Sequence, residues 1–298
     1  MLLAPIVEIF CDVDDFYKAH LKQGLAKKVP LPWGRRQRKT EMSESEMMTI
    51  MILFHLSHYR TFKDFYCDCI LGQFRGAFPK AVSYPRFVAL MPRLLEPLTA
   101  YVLSRAGKNT GLYYLDSTKM VVCHNRRIYR NKVFKDIAER GHCSVGFFYG
   151  FKLHLAINHK GELMSFCITK GNVDDRQVVE KLMRGLTGLV AGDKGYIGKN
   201  LQESLSGRGL KLITKVRKNM KKRILGAFEK FFLYQRSIVE TVIGQLKFVC
   251  HIEHTRHRSP VNFLVNLVSG LVGYCLKPGK PAIKMDKFRS APLSLIHN

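Results

Sequence analysis

Leu112-Tyr113-Tyr114-Leu115-Asp116-Ser117-Thr118-Lys119-Met120-Val121-Val122-Cys123 follows the turn-forming run Gly107-Lys108-Asn109-Thr110-Gly111, and there the apolar pattern changes from a period of 3.6 to a period of two. The stretch reads as a β-strand rich in Tyr, Leu, Val and Met. Phe147 to Ile157 and Leu163 to Thr169 are two more such runs, joined by the turn Asn158-His159-Lys160-Gly161, so the three predict an antiparallel meander. After Gly171-Asn172 the chain alternates. A helical segment runs from Asp174 to about Leu186, then come a short buried strand from Gly188 to Ala191, a helix around Lys199 to Ser206, a strand from Leu210 to Val216 and a long helix beginning near Phe231. A meander followed by alternating units implies an α/β domain with one mixed sheet and helices on its faces.

Upstream the spacing is helical. Ile6 to Leu21 carries apolar residues a turn apart, Ser43 and Glu46 are the two halves of a capping box ahead of Met47 to Leu56, and Ser83-Tyr84-Pro85 opens a segment running to about Arg105. A proline-punctuated basic loop, Pro30 to Lys39, separates the first two. The expected organisation is an all-α N-terminal domain over residues 1–106, an α/β domain over residues 107–275 and an extended basic tail over residues 276–298. The first of these either packs and dimerises or grips a polyanion through helix starts and loop arginines.

The 298 residues hold 49 Lys and Arg against 23 Asp and Glu, a formal charge of +26, with 46% hydrophobic content. That much apolar material argues against a disordered basic arm. The surplus of positive charge suits a polyanion, nucleic acid before an anionic membrane. No run reaches the roughly 18 to 20 uninterrupted apolar residues of a bilayer span; the best candidate, Phe263 to Leu276, is short and contains Asn266 and Ser269. Glu8, Asp12, Asp14 and Asp15 stand where a signal peptide would carry positive charge, so a cytoplasmic, nucleoid-associated protein is expected. Eight scattered cysteines read as reduced thiols, and Cys250, His251, His254 and His257 lie too close in one segment to wrap a zinc ion. Gly192, Gly195 and Gly198 match neither a dinucleotide nor a Walker pattern, which argues against ATP; they are expected to shape the turn that carries Asp193.

Three carboxylates fall where such a sheet exposes a site. Asp116 stands inside the first strand among residues that belong in a core, where a carboxylate needs a partner. Asp193 follows the fourth strand at once, in Gly192-Asp193-Lys194-Gly195-Tyr196, at the carboxyl edge where open α/β sheets bind ligands. Glu240 sits in the last helix with Arg236 four residues before it and Lys247 seven after, on one stripe that taken alone reads as a solvated face. If the first and fourth strands are neighbours and that helix lies beside them, the acids converge. Three carboxylates without His or Cys are a ligand set for Mg²⁺ or Mn²⁺, and two such ions about 3.5 to 4 Å apart serve phosphodiester chemistry by activating the attacking oxygen and stabilising the leaving one. From Lys211 to Lys247 ten basic residues stand against Glu229 and Glu240. Lys215, Arg217, Lys218, Lys221, Lys222 and Arg223 form the candidate DNA surface there, with Phe228, Phe231, Phe232 and Tyr234 interleaved and some of these in the core. Lys152 and His154 share the face opposite Phe151, Leu153 and Leu155; they touch phosphate if that face belongs to the site and are solvated otherwise.

Asp116 on the first strand, Asp193 in its Gly-Asp-Lys-Gly-Tyr motif and Glu240 between Arg236 and Lys247 closely resemble the DDE transposases of bacterial insertion sequences, over essentially the whole chain. His254-Thr255-Arg256-His257-Arg258-Ser259, with Asn262-Phe263 and Lys277-Pro278, is most similar to the insertion-sequence 982 group. The resemblance implies an RNase H-like catalytic domain and a transposase that hydrolyses the ends of its element and joins the freed 3′-hydroxyl to target DNA. Both steps would run in one site, without a covalent protein intermediate and without ATP, on double-stranded DNA held by a homodimer. Asp116, Asp193 and Glu240 are then the catalytic metal ligands, while Arg236 and Lys247 position DNA phosphate. Relatives often carry a tyrosine three residues before the arginine, where this chain has Leu233, with Tyr234 one step late. Where relatives often have His-Asp after Gly-Asn, this chain has Asp174-Asp175, which makes Asp175 a candidate supporting acid. An RNase H-like nuclease or resolvase, and a DNA-binding derivative that has lost catalysis, are the competing readings.

Overall fold

The computed structural model describes residues 3–24, 40–143, 146–216, 219–220, 224–253 and 257–284. The Pro30 to Lys39 loop, Arg217, Lys218, Lys221, Lys222, Arg223 and residues 254–256 lie outside the described residues, as do 285–298. Helices α1 (Leu3–Lys22), α2 (Glu44–Leu56), α3 (Phe62–Asp64), α4 (Tyr84–Leu90) and α5 (Leu95–Ser104) come first, a π-helical turn continuing α3 over Phe65–Gln73. Then follow β1 (Leu112–Cys123), β2 (Glu139–Cys143), β3 (Gly146–Asn158), β4 (Leu163–Lys170), α6 (Val179–Leu182), β5 (Gly188–Gly192), α7 (Lys199–Ser206), β6 (Leu210–Thr214), α8 (Ala227–Tyr234), α9 (Ser237–Phe248) and α10 (Pro260–Leu276).

Two compact units result. One joins Met1–Arg105 with Gln245–Lys277, the other Ala106–Gly244 with Pro278–Asn298. The expected boundary at residue 275 therefore differs from the observed one, because α10 packs on α2 and α5. Its physical reason is composition: both α2 and α10 are apolar around most of their circumference, and such helices need neighbours on every side. In α2 every residue from Met47 to His55 is buried, and Phe263, Val265, Leu267, Val268, Leu271 and Val272 are buried in α10. The capping box forms as expected: the Ser43 amide donates to Glu46 Oε2 at 2.7 Å and the Glu46 amide to Ser43 Oγ at 3.1 Å. Tyr84–Ser104, which the sequence reading did not nominate, is long and apolar enough to cross a membrane by length and composition alone. It is broken by a 3-10 turn at Met91–Leu94 and buries Phe87, Leu90, Leu98 and Tyr101 in this unit.

The second unit is built on a mixed sheet. β3 lies antiparallel between β1 on one side and, on the other, β4 and β2, which share that edge end to end. β5 and β6 add in parallel beyond β1. The predicted meander is thus β1–β3–β4, and β2 is an addition that the pattern does not reveal, since only Gly141 of its five residues is buried. Tyr113, Leu115 and Val190 bury one sheet face with Val179 and Leu182 of α6 and Leu201 and Leu205 of α7. The long helix expected from Phe231 is instead two helices, α8 and α9, with Gln235 and Arg236 between them. Nor is the first part of the C-terminal stretch a free tail: the Ile283 amide donates to His159 O at 2.9 Å, and at Gly161 (φ 70°) a Cβ would stand 2.0 Å from Pro281 O.

The start of β5 depends on Gly188. Its φ is 121°, and a Cβ there would meet Gly111 O at 2.2 Å, in the backbone that opens β1. Gly188→Ala should therefore destabilise the protein by about 1–3 kcal/mol, read as a lower urea midpoint, with wild-type stability contradicting the close β1–β5 approach.

Candidate functional site

Alternation along β1 assigns its side chains. Tyr113 and Leu115 enter the core shared with α6 and α7, so Tyr114 and Asp116 face the other way, where the Tyr114 ring lies 4.4 Å from that of Phe232 in α8. β1 pairs with β5 only as far as Tyr114 and Ala191. Two residues further along each parallel strand, Asp116 and Asp193 emerge level with one another at the open end of the pair. A tight 3-10 turn, Lys194–Tyr196, follows Asp193, and Gly192 makes room for it, since a Cβ there would lie 2.9 Å from the Tyr196 ring.

Arg236, in the break between α8 and α9, ties the acids together. Its Nη1 is 3.4 Å from Asp116 Oδ2 and its Nη2 2.7 Å from Glu240 Oε1. Asp116 Oδ1 also accepts the Ser117 amide at 2.8 Å. Burial nevertheless pushes the Asp116 pKa up to about 6; the Ser117 amide and Arg236 pull it down, and the charges of Asp193 and Glu240 push it up again. The three sequence-predicted acids thus stand close enough to feel one another. Lys247, two turns along α9, is ion-paired with Glu253 at 3.2 Å. Lys215 is exposed just beyond β6, and Leu233 is buried where Tyr234 is 69% exposed.

On the opposite side of β1 lies a network that the sequence only hinted at. Asp175 accepts Ser117 Oγ at 2.7 Å through Oδ2 and Lys152 Nζ at 2.8 Å through Oδ1. Lys152 also donates to Val173 O at 2.9 Å. His154 is fully buried, its Nε2 2.8 Å from Thr169 Oγ1, and burial pushes its pKa down to about 4, so it is neutral at pH 7. On the face of Lys152 and His154 both side chains stand beside Asp175, and Lys152 with Asp175 also lines a cavity of about 540 Å³. Asp174 turns away to Arg176, whose hydrogen bonds hold its carboxyl down at about 2. Tyr196 is 1% exposed and its hydroxyl has no hydrogen-bond partner, with Asp175, Asp116 and Asp193 all near enough to act on it. The adjacency of Ser117 to Asp116, and of Tyr196 to Asp193 in one motif, were the available signals.

Asp116, Asp193 and Glu240 offer only carboxylate oxygens, the donor chemistry that fits a hard divalent cation. Among the described residues no three acids, histidines or cysteines form a ready-made metal cluster, and the positive charge between Asp116 and Glu240 is that of Arg236.

Residues 106–260 match the protein family described as "Transposase DDE domain". No curated protein matches the chain. Among solved structures, it is similar to a piggyBac transposase in a synaptic complex with hairpin DNA, at 11% identity and a TM-score of 0.45, over 97% of this chain and 77% of that one.

The raised Asp116 pKa makes stability depend on pH. Asp116 in its neutral form contributes fully below the free value of 3.8, and that contribution is lost as pH rises through about 6. Asp116→Asn, which stays neutral, should match the wild type in urea at pH 4 without metal and exceed it at pH 8 by up to about 3 kcal/mol. A difference independent of pH would refute this assignment.

Proposed function

The chain belongs to the family of transposases with a DDE domain, and from that premise we propose that it cuts the ends of its own mobile element and joins the freed 3′-hydroxyl to target DNA, as a relative of the insertion-sequence 982 group. The observation that carries this reading is the convergence of Asp116, Asp193 and Glu240 on one open sheet end, with Arg236 bridging two of them. A sheet in which an antiparallel meander is extended by two parallel strands supports an RNase H-like catalytic domain. In this reading the unit built on Ala106–Gly244 carries catalysis, the helical unit binds element ends or dimerises, and a homodimer brings two ends together in the cytoplasm.

Asp116, Asp193 and Glu240 would hold two Mg²⁺ or Mn²⁺ ions, which when bound supply Lewis-acid stabilisation of the attacking and leaving oxygens. Asp175 keeps Ser117 in place through its hydroxyl, so that the Ser117 amide stays directed at Asp116. Arg236 and Lys247 would hold the scissile strand by its phosphates, while Lys215, Arg217, Lys218, Lys221, Lys222 and Arg223 grip the duplex backbone. No step in this scheme calls for ATP.

Asp116→Ala, Asp193→Ala and Glu240→Ala should each abolish cleavage and joining of end-containing DNA and leave DNA binding intact. Glu240→Asp should keep weak activity that Mn²⁺ partly restores, whereas Arg236→Ala and Lys247→Ala should lose binding or turnover that no metal recovers. Single-turnover assays over both metals decide this. Robust strand transfer by any alanine variant would sink the acid assignment, and products that are cut but never joined would point to a nuclease. Removing several of Lys215, Arg217, Lys218, Lys221, Lys222 and Arg223 should flatten the slope of log affinity against log salt by roughly 0.9 per lost phosphate contact; an unchanged slope would remove that segment from the DNA surface.

A further inference from the structure

β1 pairs with β5 only as far as Tyr114 yet runs on beside β3 to Cys123, so past Asp116 the sheet continues as a ribbon of β1, β3 and β2. At roughly 3.3 Å per residue, the end of β1 lies about 23 Å along the strand from Asp116. The connection from β1 to β2 starts at that tip. From His124 to Lys135 it holds Arg126, Arg127, Arg130, Lys132 and Lys135 and no acid, and all five cations are exposed. None of the five has an ion-pair partner among the described residues. Like charges so close repel one another and favour a loose loop, but this segment is pinned. Asn125 Nδ2 donates to Phe147 O at 2.8 Å, the buried Phe134 ring lies 5.9 Å from that of Phe151, and Phe134 O accepts the Tyr149 hydroxyl at 3.1 Å. Between the pins, Asn125–Arg130 forms a 3-10 turn, whose three residues per turn align Arg127 with Arg130 and Arg126 with Tyr129, itself 92% exposed.

We propose that this ribbon tip is a second DNA-binding surface, separate from Lys215 and the basic run after it, which holds the phosphates of a duplex through Arg126, Arg127 and Arg130. A pinned group of guanidiniums with no acid among them repels itself in the free protein and is relieved by a polyanion, and arginines beside a tyrosine hydroxyl are donors suited to phosphate oxygens. At about 23 Å from Asp116 these side chains are too far away to touch a phosphate held there, so they hold the duplex and take no part in the chemistry. An anionic bilayer would be drawn by the same charges, but it also asks for an apolar face turned outward, and the turn's one aliphatic side chain, Ile128, is half-buried. Phosphate contacts carry no sequence information, so any duplex serves. The inference rests on DNA being the partner, as proposed above, and is independent of the three acids.

The test uses the full chain without metal and two duplexes of unrelated sequence, with affinity read by fluorescence anisotropy over a range of salt concentrations. Arg126→Ala, Arg127→Ala and Arg130→Ala combined should flatten the slope of log affinity against log salt by roughly 0.9 per lost contact, equally on both duplexes. Arg126→Lys, Arg127→Lys and Arg130→Lys combined should keep the wild-type slope. The three side chains are exposed, so the alanine triple should unfold at the wild-type urea midpoint. Lys160→Ala, Lys181→Ala and Arg184→Ala combined remove as much charge from other exposed positions of the same unit and should leave the slope unchanged. Equal flattening by that second triple would show that total charge is being read, and overturns the surface. A wild-type slope in the first triple overturns it as well, and if that triple instead loses binding to phosphatidylserine vesicles, the ribbon tip belongs to a membrane. Failure of the wild type to bind either duplex sinks the DNA reading together with the surface, whereas tight binding that the first triple leaves unaltered sinks the surface alone.

Discussion

The Arg236 guanidinium between Asp116 and Glu240 is the constraint from which the geometry of the second unit follows. An acid in the middle of a strand, buried enough for its pKa to rise to about 6, has lost much of its hydration and must be compensated by something held in place. Arg236 lies between two helices, after the end of one and within reach of the first turn of the next. The break between α8 and α9 puts it there. Phe232 meanwhile stays packed against Tyr114, and Glu240 remains one turn from the guanidinium on α9.

The two faces of β1 divide the work. Asp116 is directed to the side of Arg236 and Glu240, while Ser117 is directed to the side where charge is locked away. On the locked side each group has a defined state: Asp175 is compensated by Lys152, His154 is neutral by burial, and Tyr196 is pushed far toward its protonated form. Networks satisfied in this way hold a backbone in one register, which is what an adjacent site needs if its carboxylates are to keep their separations as charge around them changes. The short pairing of β1 with β5 completes the arrangement. Had the ladder continued past Ala191, Asp193 would have been tied into a flat sheet edge, without the turn that frees its carboxyl.

How much of this was legible depends on whether a residue's signal is local. The period of two, the turns and the buried Asp116 are local, and they located the meander, both parallel strands and all three acids. The acids' convergence required that β1 and β5 be neighbours, which the topology rules for mixed sheets favour, and also that the helix carrying Glu240 lie beside them. The break at Gln235 and Arg236 had no such signal, because neither proline nor glycine marks it and helical spacing continues on both sides. The destination of α10 was equally silent: a helix apolar all round states that it is buried but not against what. Lys152 and His154 show the same limit. Parity along β3 puts them on one face, yet only the pairing of Ser117 with His154 and of Lys119 with Lys152 across the strands reveals that Asp175 is waiting there.

Charge explains why a site made of acids belongs in this chain. With 49 basic residues and 23 acidic ones, pairing every acid would still leave a surplus of 26 positive charges. The internal pairs seen at Lys152, Arg176, Arg208 and Lys211 already occupy Asp175, Asp174, Glu180 and Glu229. A surplus of that size acts on a polyanion through a long-range, salt-screened field that carries no information about where on the polyanion chemistry should occur. Asp116, Asp193 and Glu240 make a local well of opposite sign in that field, and the charges of Asp193 and Glu240 add to the rise that burial gives the Asp116 pKa. Under the function proposed above, attraction of DNA and localisation of cations would be separate electrostatic tasks at different length scales, with Arg236 placed between the acids.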